Sequence, residues 1–182
     1  MRTRSVLSAV LLTGGLALFC PPAYATPHKS VIEPDIVQYE CTNLNTQETQ
    51  SIRLRIALTV PNGAIVNQET TIEWSGAYAD GSELRAPATG LPADTKLYAY
   101  ASIRDLPQTT SATGVGAIGA VGPGEVIPLP AQPVLLKTTP RSTGTGAVRP
   151  AAVNFGTGPT EPLLRCQVQN ADDALRSYPL RS

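Results

Sequence analysis

Residues 52–60 read Ile-Arg-Leu-Arg-Ile-Ala-Leu-Thr-Val, and this stretch decides the fold class. Ile52, Leu54, Ile56, Leu58 and Val60 alternate with Arg53, Arg55, Ala57 and Thr59. A period of two sends the aliphatics to one face of an extended chain and the arginines to the other, whereas a helix scatters the aliphatics around its circumference. Pro61-Asn62-Gly63 then supplies a turn.

Working outward, the same alternation recurs. Thr70, Ile72 and Trp74 share a face, and Asp80-Gly81 breaks the chain soon after. Along 96–103, Leu97, Ala99, Ala101 and Ile103 oppose Lys96, Tyr98, Tyr100 and Ser102. Further strands are predicted over 134–138, 147–155 and 163–168. Residues 113–124 are glycine-rich and are expected to form a flexible loop, because glycine weakens a strand interior. The 17 prolines and 15 glycines are placed so as to interrupt any long helix. Short strands between turn residues predict an all-β, antiparallel β-sandwich of immunoglobulin-like architecture, with a closed barrel as the alternative.

The front of the chain predicts export. Arg2 and Arg4 precede an uncharged apolar stretch from Val6 to Phe19, and Ala23-Tyr24-Ala25 has the small-x-small pattern of a cleavage site. Such a run is shorter than the roughly 20 apolar residues of a membrane span. Lipid attachment at Cys20 is disfavoured by bulky Phe19 in front of it and Pro21-Pro22 behind. Residues 1–25 thus read as a signal peptide, 26–35 as a flexible lead-in, 36–170 as the β-sandwich domain and 171–182 as a C-terminal tail. Cleavage leaves Cys41 and Cys166, which an oxidising compartment is expected to pair, joining the first and last strands of the domain.

Composition narrows the partners. Losing Arg2 and Arg4 from a balance of 14 basic and 14 acidic residues leaves the mature chain at −2. That charge offers no footprint for nucleic acid or an anionic membrane surface, and no stable membrane insertion of the mature chain is expected. A hydrophobic content of 42% against 15% charged residues is that of a folded domain.

Catalytic patterns are sparse. The single histidine, His28, lies in the lead-in, so neither a Ser-His-Asp nor a Cys-His set can be assembled inside the domain. No metal site and no cofactor is expected, since a histidine-containing zinc site lacks its ligands. Gly114, Gly116, Gly119, Gly122 and Gly124 match no phosphate-binding spacing. Glu69 and Glu73, four apart on a strand, would stand roughly 13 Å from one another, too far for a retaining glycosidase pair. Asp80-Gly81-Ser82-Glu83 reads as a turn rather than a calcium loop. Tyr98 and Tyr100, opposite the aliphatic face of their strand, are the binding candidates, with Trp74 or Tyr78 beside them as an aromatic platform for a sugar or protein. A core or loop-covering role for these rings is the competing expectation.

Tyr39-Glu40-Cys41, the threonine-glycine turn near 143–146 and Val153-Asn154-Phe155-Gly156 leading to Leu164-Arg165-Cys166 resemble an uncharacterised family of secreted actinobacterial domains. The resemblance covers residues 36–170 approximately and departs from the family after Cys41, where Thr42-Asn43-Leu44 replaces an aromatic-proline pair. It implies an exported β-sandwich with one disulfide and carries over no catalytic residue. The expected function is a secreted, non-catalytic extracellular or cell-envelope module that binds a cell-wall polysaccharide or another extracellular protein. A carboxylate-dependent, carbohydrate-active hydrolase is the alternative.

Overall fold

The computed structural model describes residues 29–31, 35–79, 81–170 and 178–182. The predicted signal peptide, Cys20, His28 and Asp80 lie outside them. Among the described residues the regular structure is entirely β, in ten antiparallel strands. In chain order they are β1 (Lys29–Val31), β2 (Asp35–Asn43), β3 (Thr49–Pro61), β4 (Thr70–Tyr78), β5 (Lys96–Arg104), β6 (Ser111–Ala117), β7 (Val134–Thr138), β8 (Thr145–Gly156), β9 (Pro162–Val168) and β10 (Tyr178–Arg181).

The all-β, antiparallel class expected from residues 52–60 is the class observed. The strand order β3-β2-β9-β8-β5-β6-β7-β4 returns to β3 through a β3–β4 pairing, so eight strands close on themselves. The layers of the predicted sandwich are therefore joined at both sides. Closure removes the exposed edges that an open sandwich would leave. An eight-stranded ring is just wide enough for its inward side chains to fill it. Those side chains are the predicted alternating set: Ile52, Leu54, Ile56, Leu58 and Val60 from β3, Leu97, Ala99, Ala101 and Ile103 from β5, and Ile72 and Trp74 from β4 are all buried.

Cys41 and Cys166 stand directly opposite one another on β2 and β9 and form a disulfide inside the ring. The β2–β9 seam is five residue pairs long, and the bond clasps it.

The sheet reaches past the 36–170 boundaries at both ends. Lys29–Val31, expected in the flexible lead-in, pairs with Thr59–Pro61 and lies end to end with β2 along one edge of β3. Tyr178–Arg181, expected in the tail, pairs with Thr145–Val148 and lies end to end with β9 along β8. Leu180 is fully buried, and Ser182 exchanges backbone hydrogen bonds with Gly144.

The glycine-rich stretch also differs from expectation. Its first part is β6, Val121 in the rest pairs with Leu91 of the β4–β5 connection, and just beyond it Val126 pairs with Arg85. Together these two long connections cap one end of the ring with buried Leu84, Leu91, Val121 and Ile127. Gly114 and Gly116 face inward, where a Cβ on Gly114 would stand 2.5 Å from the Leu135 carbonyl oxygen and 2.8 Å from Leu136 Cδ2. Missing side chains there let β7 approach closely.

A bulge in β8 is satisfied from across the ring. Ala99 pairs with Val153 but Ala101 with Pro150, leaving Ala151 and Ala152 opposite Tyr100. Pro150, which lacks an N–H, is tolerated at this irregularity. The buried Tyr39 hydroxyl on β2 donates to the Ala151 carbonyl oxygen at 2.8 Å. Tyr39→Phe removes that hydrogen bond and is expected to cost about 1–2 kcal/mol. Burial also pushes the Tyr39 hydroxyl well above its ordinary pKa of 10.0. The neutral form is thus held in the folded state, while the unfolded chain ionises near pH 10. The associated stability is complete below pH 10 and is lost above it, at up to about 1.4 kcal/mol per pH unit. Denaturant unfolding at pH 9 and 11 checks this: the wild-type loss over that interval should exceed the loss in Tyr39→Phe.

Candidate functional site

β5 holds the predicted site residues because it is paired on both sides, with β6 and β8, which fixes its outward face. Tyr98 stands between Val115 on β6 and Asn154 on β8; Tyr100 stands beside Thr113 on β6. Tyr98, Tyr100, Thr113, Gly114, Val115 and Pro159 line a shallow hollow of about 290 Å³ on the outer wall. Pro159, in the β8–β9 loop, closes one side of it.

The two tyrosines have different roles. Tyr98 is only 5% exposed, and its hydroxyl donates to the Thr157 carbonyl oxygen at 3.1 Å, which ties the ring to the β8–β9 loop. It is the floor of the hollow, as the loop-covering expectation had it. Tyr100 is half-buried and lines the hollow. Val115, 54% exposed, forms the rim, and Leu135, 52% exposed, follows on β7. The Thr113–Lys137 register places Leu135 beside Val115. Beyond them the exposed Lys137 Nζ meets Glu69 Oε1 at 2.9 Å.

Trp74 does not join this surface. It is 1% exposed and projects into the ring with Ile72, because its alternation on β4 follows the aliphatic face. Tyr78 is also elsewhere, with its hydroxyl on the Ile127 carbonyl oxygen under the cap at 2.8 Å. Sequence reasoning missed Val115, Pro159 and Leu135. Tyr98, Val115 and Asn154 share a row only through the pairings of β5, and Pro159 arrives from a distant loop.

The carboxylates of the hydrolase alternative are dispersed. Glu69 is engaged by Lys137, Glu73 lies on β4 opposite Leu135 and Thr59, and Glu83 is 3.9 Å from Arg85. Glu48 is the sole carboxylate lining a hollow of about 170 Å³ between the β2–β3 turn and residues 87–90. Among the described residues no three His, Cys, Asp or Glu side chains are grouped to hold a metal ion, and no helix is long and apolar enough to cross a membrane.

Comparison with protein families, with curated proteins and with solved structures gives no match to this chain.

Proposed function

We propose that the mature chain is an exported, non-catalytic module of the extracellular space or cell envelope that binds a wall polymer or a partner protein through the Tyr98/Tyr100 hollow. The observation that carries this reading is that half-buried Tyr100 and exposed Val115 line one hollow that contains no charged side chain. An aromatic face with one wet edge suits a ligand that is partly apolar and partly hydroxylated. The buried disulfide and the predicted signal sequence support an oxidising destination. The resemblance to secreted actinobacterial domains fits the same compartment.

Retention of the oxidised mature protein on purified envelope of the producing organism, measured across a salt series, tests the proposal. Saturable retention that persists in moderate salt is expected, because an uncharged hollow gains little from Coulomb attraction and screening removes little. Absence of retention, or retention abolished by moderate salt, contradicts it.

A further inference from the structure

Of the asparagines at 43, 45, 62, 67, 154 and 170, Asn62 alone precedes a glycine. Asn62 and Gly63 are both exposed and follow directly on Pro61, the last residue of β3. They stand at the end of the ring where both terminal strands attach, apart from the Tyr98/Tyr100 hollow. We propose that Asn62 is a site of spontaneous deamidation, and that its conversion to isoaspartate loosens β1 and β10 from the ring.

The step needs only water and hydroxide. The Gly63 backbone nitrogen gives its proton to hydroxide and attacks Asn62 Cγ. The N–Cγ bond forms, the Cγ–Nδ2 bond breaks, and the departing nitrogen takes up protons from water and leaves as ammonia. Water then opens the resulting succinimide ring. Addition at Cγ yields aspartate; addition at the more electrophilic main-chain carbonyl yields isoaspartate, whose chain runs through Cβ and Cγ. One water is consumed, one ammonia is released, and nothing is oxidised or reduced. Glycine brings no side chain to crowd the attacking nitrogen. A Cβ built on Gly63 meets no atom within 4 Å, so the turn has room for ring closure. Among the described residues the Gly63 N–H donates to no backbone acceptor.

The neighbours on either side couple this chemistry to the fold. Pro61 pairs with Lys29 of β1, and the Ala64 N–H donates to the Arg181 carbonyl oxygen of β10 at 2.7 Å. Only Asn62 and Gly63 link these two anchors. Isoaspartate inserts one more carbon–carbon bond into that link, about 1.5 Å of chain. The terminal strands are three and four residues long, and each pairs with a single neighbour, so they are the elements that give way.

Incubation of the oxidised mature protein at mildly alkaline pH, followed by peptide mapping with mass spectrometry and by amide exchange, tests both parts. Asn62 should gain the mass of an amide-to-acid exchange at least about tenfold faster than Asn43, Asn45, Asn67, Asn154 or Asn170, because it alone precedes a residue without a side chain. Fragmentation should identify isoaspartate at that position. In the isoaspartate form, amide exchange at Ala64 and across 178–182 should quicken. Gly63→Val should slow the conversion to the rate of the other asparagines. It should also keep the wild-type melting temperature, since Gly63 has no left-handed φ and the added side chain enters open space. Asn62→Asp carries the new charge without the extra carbon and should exchange like the fresh protein. Equal rates at Asn62 and the other asparagines, or no slowing in Gly63→Val, would overturn the modification site. Unchanged exchange across 178–182 in the isoaspartate form, or equal acceleration in Asn62→Asp, would overturn the coupling to the terminal strands.

Discussion

Replacing Cys41 and Cys166 together by alanine lowers the melting temperature by about 10 °C. The disulfide closes a loop of sequence separation 125, nearly the whole folded chain. Constraining the unfolded ensemble over that length is worth on the order of 4 kcal/mol in the chain-entropy account. For a chain of this size each kcal/mol moves the midpoint by roughly 2–4 °C. The location matters as much as the loop length, because β2 and β9 share only five residue pairs and the clasp stands within that seam. Once it is gone, β2 remains anchored along β3, and the loss is expected to appear first as faster amide exchange in β9. Scanning calorimetry of wild type and the double variant checks the magnitude. Equal midpoints would mean that the ring closes without the bond.

Trp74→Ala is the second large effect, with a loss of about 3–5 kcal/mol. The indole lies over Gly76: a Cβ added there would fall 2.5 Å from Trp74 Cη2 and 2.9 Å from Cζ2. β4 thus offsets one large inward residue with a missing one, and truncation to alanine leaves a void that no neighbour on that strand can fill. The same geometry makes Gly76→Val severely disruptive. Trp74 Nε1 is buried and meets no acceptor among the described residues, which itself costs about 1–3 kcal/mol. Trp74→Phe keeps a ring over Gly76 and removes that unpaired donor, so it should cost less than half as much as Trp74→Ala. Chemical denaturation of both variants gives the comparison. A larger loss in Trp74→Phe than in Trp74→Ala would contradict this packing.

How much of this was legible in the sequence follows from how each strand is buried. Strands with one wet and one dry face, such as residues 52–60 and 96–103, declare themselves through alternation. β7 appears with its observed limits for the same reason. β6 does not, since its inward positions are Gly114 and Gly116. The atoms that need the vacant space belong to Pro130, Val134, Leu135 and Leu136, in a segment the local pattern does not show. β1 and β10 are three and four residues long, too short to carry a period, and depend on the long strands β3 and β8 for pairing. Ring closure is a long-range property: the β3–β4 and β6–β7 pairings join the layers without any local sequence mark.

The candidate site was legible in half. Alternation along β5 correctly put Tyr98 and Tyr100 opposite the aliphatic face, yet it also placed Trp74 with Ile72, and that face is the interior. Proximity in sequence suggested a platform that strand polarity forbids. Val115 and Pro159 became neighbours of the tyrosines only through the β5–β6 register and the β8–β9 loop.

The most direct test of the outer-wall site compares Tyr100→Ala with Ile65→Ala in envelope retention, alongside their melting temperatures. Ile65 is 63% exposed in the β3–β4 turn, at the end of the ring opposite the β8–β9 loop, and serves as an apolar surface control. The account predicts that Tyr100→Ala loses retention at least tenfold with its melting temperature nearly unchanged, while Ile65→Ala keeps both. Retention of Tyr100→Ala at the wild-type level would contradict it.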